Sequence, residues 1–301
     1  MFTFGLVVPF FSNESYLLEQ LNSIVNQNFG DWVCVVVDDS GRATSAEATV
    51  KSINKSNIHF VKNEANLGLA NCWNQGLEEL VSRFNPEILS VIHADDLLEP
   101  NFLSATLKAH YDYPSAAAVH TSVKIVNRRN KPRISITDKV KVSIAPGKRS
   151  RTILTRGDVG LASLLRGNFI YCPTLSFKSN LISRPLFNPR WKMLVDLDVT
   201  SRLLLDGNTI VGISDRVYRY RRHSSSTTSL LNDSATIFVE EVRFYRDVVK
   251  ECEAKFYSKS AKVGSRMTMV RLHILYRLLH KLLKLDIASA KRLVGVLRTI
   301  N

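Results

Sequence analysis

Two glycine signatures that cradle phosphate in nucleotide-binding sheets are missing from this sequence. No G-x-G-x-x-G follows the first apolar run, and no G-x-x-x-x-G-K-[ST] occurs anywhere in the 301 residues. A nucleotide gripped by such a sheet would have to be gripped by carboxylates and a metal rather than by a backbone cradle. Cysteine is scarce too. Cys34, Cys72, Cys172 and Cys252 are far apart and form no C-x-x-C pair, which excludes the usual structural zinc and disulfide frameworks and fits a reducing compartment. No window reaches the ~18 uncharged apolar residues of a membrane span. Apolar residues begin at once (Phe2, Phe4, Leu6) with no basic n-region before them, and predict a first strand rather than a signal peptide. The chain is expected in the cytoplasm, free or attached to the inner face of the cell membrane.

Acid is scarce in one part only. Residues 1–120 hold 6 Lys/Arg and 14 Asp/Glu, a net of −8, which leaves +22 for the remainder of a chain whose net charge is +14. An acidic first part joined to a basic second part points to an anionic partner for the latter: nucleic acid, phosphates or a membrane surface.

The patterned stretches alternate between two periods. Phe4 to Pro9, Trp32 to Val37, Ile58 to Lys62, Ile88 to Ile92 and Ala116 to Val126 read as strands. Glu14 to Asn26, Ser45 to Ile53, Asn66 to about Arg83 and Asn101 to Tyr111 read as helices, the first capped by Ser12 or Asn13. That alternation predicts βαβ units and a mostly parallel sheet flanked by helices. Two of the strands end in adjacent acids, Asp38-Asp39 and Asp95-Asp96. At the carboxyl edge of an open α/β sheet such side chains face the ligand crevice, and paired carboxylates suit a hard divalent cation that bridges to phosphate. The plainer alternative is a pair of strand-end turns, which Asp also favours.

Six pieces in order bring the chain close to a known family: Val7-Val8-Pro9-Phe10-Phe11, Leu21 to Gln27, Val35-Val36-Val37-Asp38-Asp39-Ser40-Gly41, Asn66-Leu67-Gly68-Leu69-Ala70 with Asn74 and Gly76, Ala94-Asp95-Asp96, and Pro100. In order and spacing they resemble the GT-A glycosyltransferases of glycosyltransferase family 2, over roughly residues 4–228. The resemblance implies an α/β GT-A fold with a mostly parallel, Rossmann-like sheet. It divides the chain into a catalytic domain, 1–230, and a basic helical C-terminal region, 231–301. Within the first, 1–126 would form the nucleotide-sugar half and 127–230 the acceptor and catalytic-base half. The implied activity is inverting transfer of a sugar from a nucleoside-diphosphate sugar, a UDP-sugar by preference, to a hydroxyl of a saccharide or lipid-linked acceptor in cell-surface polysaccharide synthesis.

The resemblance also implies roles. Pro9 and Phe10 would line the base site, Asp38 would hydrogen-bond the base, and Asn66 would belong to the donor site. Asp95 stands at the second aspartate of the family's D-x-D and would bind Mn²⁺ or Mg²⁺ on the diphosphate. Asp96 would steady that turn or meet the sugar. The first aspartate of the motif is His93 here; imidazole suits Mn²⁺ or a hydroxyl better than Mg²⁺, and a histidine packed at a strand end is the alternative. In Leu194-Val195-Asp196-Leu197-Asp198 an acid opens a helix, where the helix dipole favours negative charge. The family's catalytic base falls on Asp196, with Asp198 as fallback. In Tyr218-Arg219-Tyr220-Arg221-Arg222-His223, Arg221 would neutralise the leaving diphosphate and His223 would approach the metal.

Two basic stretches stay open. Residues 128–156 read as solvated loops or as an acceptor-side flap. From 262 to 301 nine Lys/Arg face a single acid, Asp286, and Leu272, Leu275, Leu279 and Leu282 share one side of a helix expected from Met267 to Ile287. It either lies on an anionic membrane or packs on the domain with its basic face in water. A nucleic-acid-binding protein is the rival from another class, but no such motif occurs and no aromatics interleave the basic clusters; a transferase kept only as a scaffold is the other.

Overall fold

The computed structural model describes residues 3–134, 136–144, 152–223 and 235–300. Strands β1 (Phe4–Phe10), β2 (Trp32–Asp38), β3 (Ile58–Lys62) and β4 (Ile88–Val91) alternate with helices α1 (Glu14–Val25), α2 (Ala46–Ile53) and α3 (Leu69–Phe84). They line up as β3-β2-β1-β4, each parallel to its neighbour, as the alternating periods require. α1 starts at Asn13, whose side chain accepts from the Tyr16 N–H. The two-residue period of the strands sorts their apolar residues onto two faces. Phe4, Leu6, Val8, Cys34 and Val36 pack with α1, α2 and α4 (Phe102–Asp112), while Val7, Val33, Val35 and Val37 pack with α3. Gly76 lets α3 lie directly on β1, since a methyl group there would collide with Val7.

Pro9 sets where β4 ends. Ile92 donates to the Val7 carbonyl at 2.8 Å, and the next position of β1 on that side is Pro9, which has no N–H to continue the ladder. β4 is released there, and residues 93–96 turn away at the carboxyl edge of the sheet, closed by the Asp96 N–H on the His93 carbonyl at 3.2 Å.

Beyond β4 the sheet is mixed. β5 (Leu97–Leu98), β6 (Ala116–Val126), β7 (Thr152–Arg156), β8 (Ser176–Lys178) and β9 (Thr209–Arg221) continue the order as β4-β8-β6-β9-β5, with β7 also on β9. β8 lies antiparallel between β4 and β6, fixed by the Ser90 hydroxyl on the Leu175 carbonyl at 2.6 Å. β9 runs parallel to β6 and carries β5 and β7 antiparallel. Helices α5 (Ile136–Ile144), α6 (Gly157–Arg166) and α7 (Val195–Leu205) belong to this half, so the basic stretch 128–156 contains a helix and a strand, α5 and β7.

Among the described residues four helices follow: α8 (Ala235–Ala254), α9 (Ser258–Arg266), α10 (Thr268–Leu283) and α11 (Ile287–Ile300). Phe238, Val242, Phe244, Tyr245 and Val248 of α8 share one core with α3, α6 and α7, completed by Val270, Ile274, Leu293 and Val296. Among the described residues no helix is long and apolar enough to cross a membrane.

Candidate active site

Five segments meet at the carboxyl edge of β1, β2 and β4: the two Asp-Asp turns, the end of β9, the start of α7 and helix α5. At the β2 end both acids are held by neighbouring loops. Asp38 is buried and accepts from the Ser40 N–H at 3.0 Å and the Thr44 hydroxyl at 2.6 Å. Asp39 accepts from Asn63 (2.9 Å), Asn66 (3.1 Å) and the N–H groups of Leu67 (2.8 Å) and Gly68 (3.1 Å). The Asn66 side chain also binds the Asp39 carbonyl at 2.7 Å, so it ties the loop before α3 to β2. Gly41, at φ +63°, lets the loops touch; a Cβ there would lie 2.9 Å from the Asn66 nitrogen. Pro9 is half-buried at the strand end. The Phe10 ring is buried in the core beneath α1, and the aromatic exposed at this strand end is Phe11, with Arg42 over its face.

The β4 end is built from different chemistry. Asp96 is buried and accepts from the Arg221 N–H at 2.7 Å and the Tyr218 hydroxyl at 3.0 Å. Burial, then the charge of Asp95, push its carboxyl well above the usual range. Asp96 thus fixes the turn to β9. Asp95 lies 2.6 Å from His223 Nε2. Burial alone would raise its carboxyl, but the hydrogen bond from His223 and the fields of His93 and His223 outweigh it and hold Asp95 below the ordinary value. His93 sits against Trp73, its Nδ1 3.7 Å from Asp96. Burial lowers its imidazole toward the neutral form, opposed by the charges of Asp95 and Asp196.

Arg221 is held inside the protein rather than at its surface. Its fully buried guanidinium reaches Glu19 at 2.6 Å and Asn130 at 2.7 Å and lies 4.1 Å from the centre of the Tyr16 ring. It clamps α1, β9 and the loop after β6 together, and the cation next along the chain, Arg222, faces the α5 residue Asp138 at 2.6 Å.

α7 carries the third acid pair. Asp198 is buried with both oxygens taken, one by the Trp191 indole N–H at 2.8 Å and one by Arg202 at 2.8 Å. Asp196, in the first turn, is half-buried and accepts from Asn168 at 2.9 Å. Its field is felt at His93, Lys141 and Cys172, so Asp196 faces the 93–96 turn and α5, whereas Asp198 faces the packing of α7. Leu194 at the N-cap has no capping side chain of its own. Glu240 of α8 instead holds the turn that leads into the helix, accepting from the N–H groups of Lys192 (3.1 Å), Met193 (2.9 Å) and Leu194 (3.3 Å).

α5 closes the other side. Lys141 donates to the Ile170 carbonyl at 3.0 Å over the Tyr171 ring, and burial lowers its ammonium against the pull of Asp196 and Asp138. Asp138 also accepts from the Tyr171 hydroxyl at 2.8 Å. Lys141, Asp138 and Glu240 escape a motif-based reading because each reaches the site from an element that lies outside every motif.

His93, Asp95 and Asp96 each place one ligand atom within 4.8 Å of the others. The donors fit a divalent cation. Among the described residues His93 Nε2 is buried without a hydrogen-bond partner and His223 meets Asp95 at Oδ2, whereas both Asp96 oxygens already accept. An imidazole beside a carboxylate suits Mn²⁺ better than Mg²⁺.

The profile of glycosyl transferase family 2 matches residues 6–171. Over 222 residues, 73% of this chain, the sequence is 25% identical to the poly(ribitol-phosphate) beta-N-acetylglucosaminyltransferase TarS of Staphylococcus aureus, and it spans only 35% of that protein's length. An uncharacterised glycosyltransferase of Methanocaldococcus jannaschii is 30% identical over 97 residues, 32% of each chain. The crystal structure of residues 1–349 of S. aureus TarS with UDP-GlcNAc superposes with a TM-score of 0.62 at 17% identity, covering 99% of this chain and 90% of that one. The mannosyltransferase PcManGT of Pyrobaculum calidifontis with GDP-Man and Mn²⁺ does so with a TM-score of 0.63 at 14% identity, covering 98% and 85%. The fold is that of the GT-A glycosyltransferases.

Proposed function

The chain belongs to glycosyl transferase family 2, and from that premise we propose that it moves a sugar, with inversion, from a nucleoside-diphosphate sugar to a hydroxyl group of a cell-surface polymer or its lipid-linked precursor. The observation that carries this reading is the convergence of Asp95, His93 and Asp196 on one edge of the sheet. One acid there is held by imidazoles and the other is oriented by Asn168. That TarS bears UDP-GlcNAc and PcManGT bears GDP-Man with Mn²⁺ supports a nucleotide-sugar donor here. The name of TarS supports a polymer acceptor, and its complex with UDP-GlcNAc supports a UDP-sugar as the donor.

Asp196 is the base in this mechanism. Its free oxygen takes the proton of the acceptor hydroxyl as that oxygen bonds to the anomeric carbon. The bond from that carbon to the diphosphate breaks on the opposite face, its electron pair stays on the departing phosphate oxygen, and the configuration inverts. Asn168 fixes the rotamer of the base, and Glu240 fixes the turn from which the base projects. His93 and Asp95 would hold Mn²⁺ or Mg²⁺, with His223 locking Asp95 in place; when bound, the ion neutralises charge on the leaving diphosphate. Asp38 recognises the base of the nucleotide through its remaining lone pairs, and Asp96 keeps the metal turn on β9.

A panel of nucleotide sugars with Mn²⁺ or Mg²⁺, scored for slow donor hydrolysis, identifies the donor without knowledge of the acceptor. Asp196→Asn should keep donor affinity and lose about 10²–10⁴-fold in turnover. Wild-type turnover in Asp196→Asn, with Asp198→Asn inactive but folded, would move the base to Asp198.

A further inference from the structure

α10 is apolar on two opposite sides. Val270 and Ile274 are buried against the body of the protein. At 100° per residue the opposite side carries Leu272, Leu275, Tyr276, Leu279, Leu282 and Leu283, and their exposures run from 45% to 77%. The patch continues past the helix end at Leu285 and Ile287, 82% and 50% exposed. A surface helix ordinarily turns polar residues outward, and an exposed leucine stripe of this extent marks a site that something covers.

The edges of the stripe say what. Exposed His280 and Lys284 lie along one edge, and Lys262, Arg266, Lys291, Arg292 and Arg298 are exposed on the adjoining helices. The only acid between 262 and 301 is Asp286, which already faces Lys281 at 3.3 Å. A second copy of this chain docked by two-fold symmetry would set the same basic edge against itself, with no acid of the segment to answer it. An anionic lipid surface answers both features, taking leucines into the acyl boundary and cations among the headgroups, with Tyr276 at the level where amphipathic rings settle. We propose that the outward leucine face of α10 seats the enzyme on an anionic membrane, the helix lying in the plane of the interface while its inward face stays in the core.

The test is flotation of the whole chain with phosphatidylglycerol vesicles and, in parallel, with neutral phosphatidylcholine vesicles. The expected result is binding to the anionic vesicles only, weakened at least about tenfold in Leu275→Glu/Leu279→Glu and about fivefold for each charge removed in Lys284→Ala and Lys291→Ala. All four side chains are on the surface, so circular dichroism and donor hydrolysis in solution should be unchanged. Equal binding to neutral vesicles, or flotation indifferent to the leucine changes, overturns the proposal. So does a dimer in vesicle-free buffer, seen by sedimentation and dispersed by Leu279→Glu, with no flotation; that outcome assigns the face to a second copy.

Discussion

The same dipeptide stands at the ends of the two strands that flank β1, and the two copies do opposite things. Asp38-Asp39 receives neutral donors: two loop groups on one carboxylate and four on the other. Asp95-Asp96 receives imidazole, phenol and one backbone N–H. At the first site the acids organise loops. At the second one acid organises and the other keeps its charge. Glu240-Glu241 repeats the division on α8, where Glu240 holds the turn before α7 while Glu241 is pushed up to about 7, first by burial and then by the charge of Glu240. In each of these pairs the neighbours, rather than the sequence position, decide which acid is structural.

That contrast can be broken at four places, from the largest expected effect to the smallest. Asp95→Ala should lower turnover by on the order of 10²–10³-fold and abolish any Mn²⁺-dependent gain in nucleotide affinity, at unchanged melting temperature; calorimetric titration of UDP with and without Mn²⁺ reads it. Asp39→Ala should do the reverse. It strands four donors and should remove about 3–5 kcal/mol of stability, read as the urea midpoint, while turnover per folded molecule changes less than tenfold. Glu240→Ala should cost about 1–2 kcal/mol by stranding the N–H groups of the turn before α7 and lower kcat more than KM, with Glu240→Gln recovering part of both. Glu241→Gln is the mildest. The Glu241 pKa is raised in the folded chain from 4.5 to about 7, so the unfolded chain gives up its proton first. The wild type therefore loses stability as pH rises from about 4.5 to about 7, and Glu241→Gln should gain about 1–3 kcal/mol over it at pH 8 and little at pH 4. Equal gains at both pH values would contradict the buried acid.

The two Asp-Asp edges were legible because each follows an apolar run of strand length, and motif order singled out Asp95, Asp196 and His223 as candidates. What stayed hidden depends on long-range partners. Arg221 reads as a phosphate ligand within a basic run, yet Glu19 lies 202 residues away and pulls it inside. Phe10 and Phe11 are indistinguishable until the pleat sends Phe10 into the core. β8 has three residues, too few to show a period, so the antiparallel strand between β4 and β6 left no trace. α5 is short and basic, and its contribution to the site comes from contacts with Tyr171 and Arg222 that no local pattern announces. On α10 the spacing of the leucines was plain, but only packing shows that Val270 and Ile274 supply the inward face.

Pro9 gives the site its position by subtraction. One hydrogen atom absent from the edge of β1 stops a strand, and the turn bearing His93 and Asp95 begins where that strand stops. Restoring the donor with Pro9→Val would invite the ladder to zip two residues further and draw the turn into the sheet. Anyone transplanting this turn into another parallel sheet should copy the proline before copying any acid.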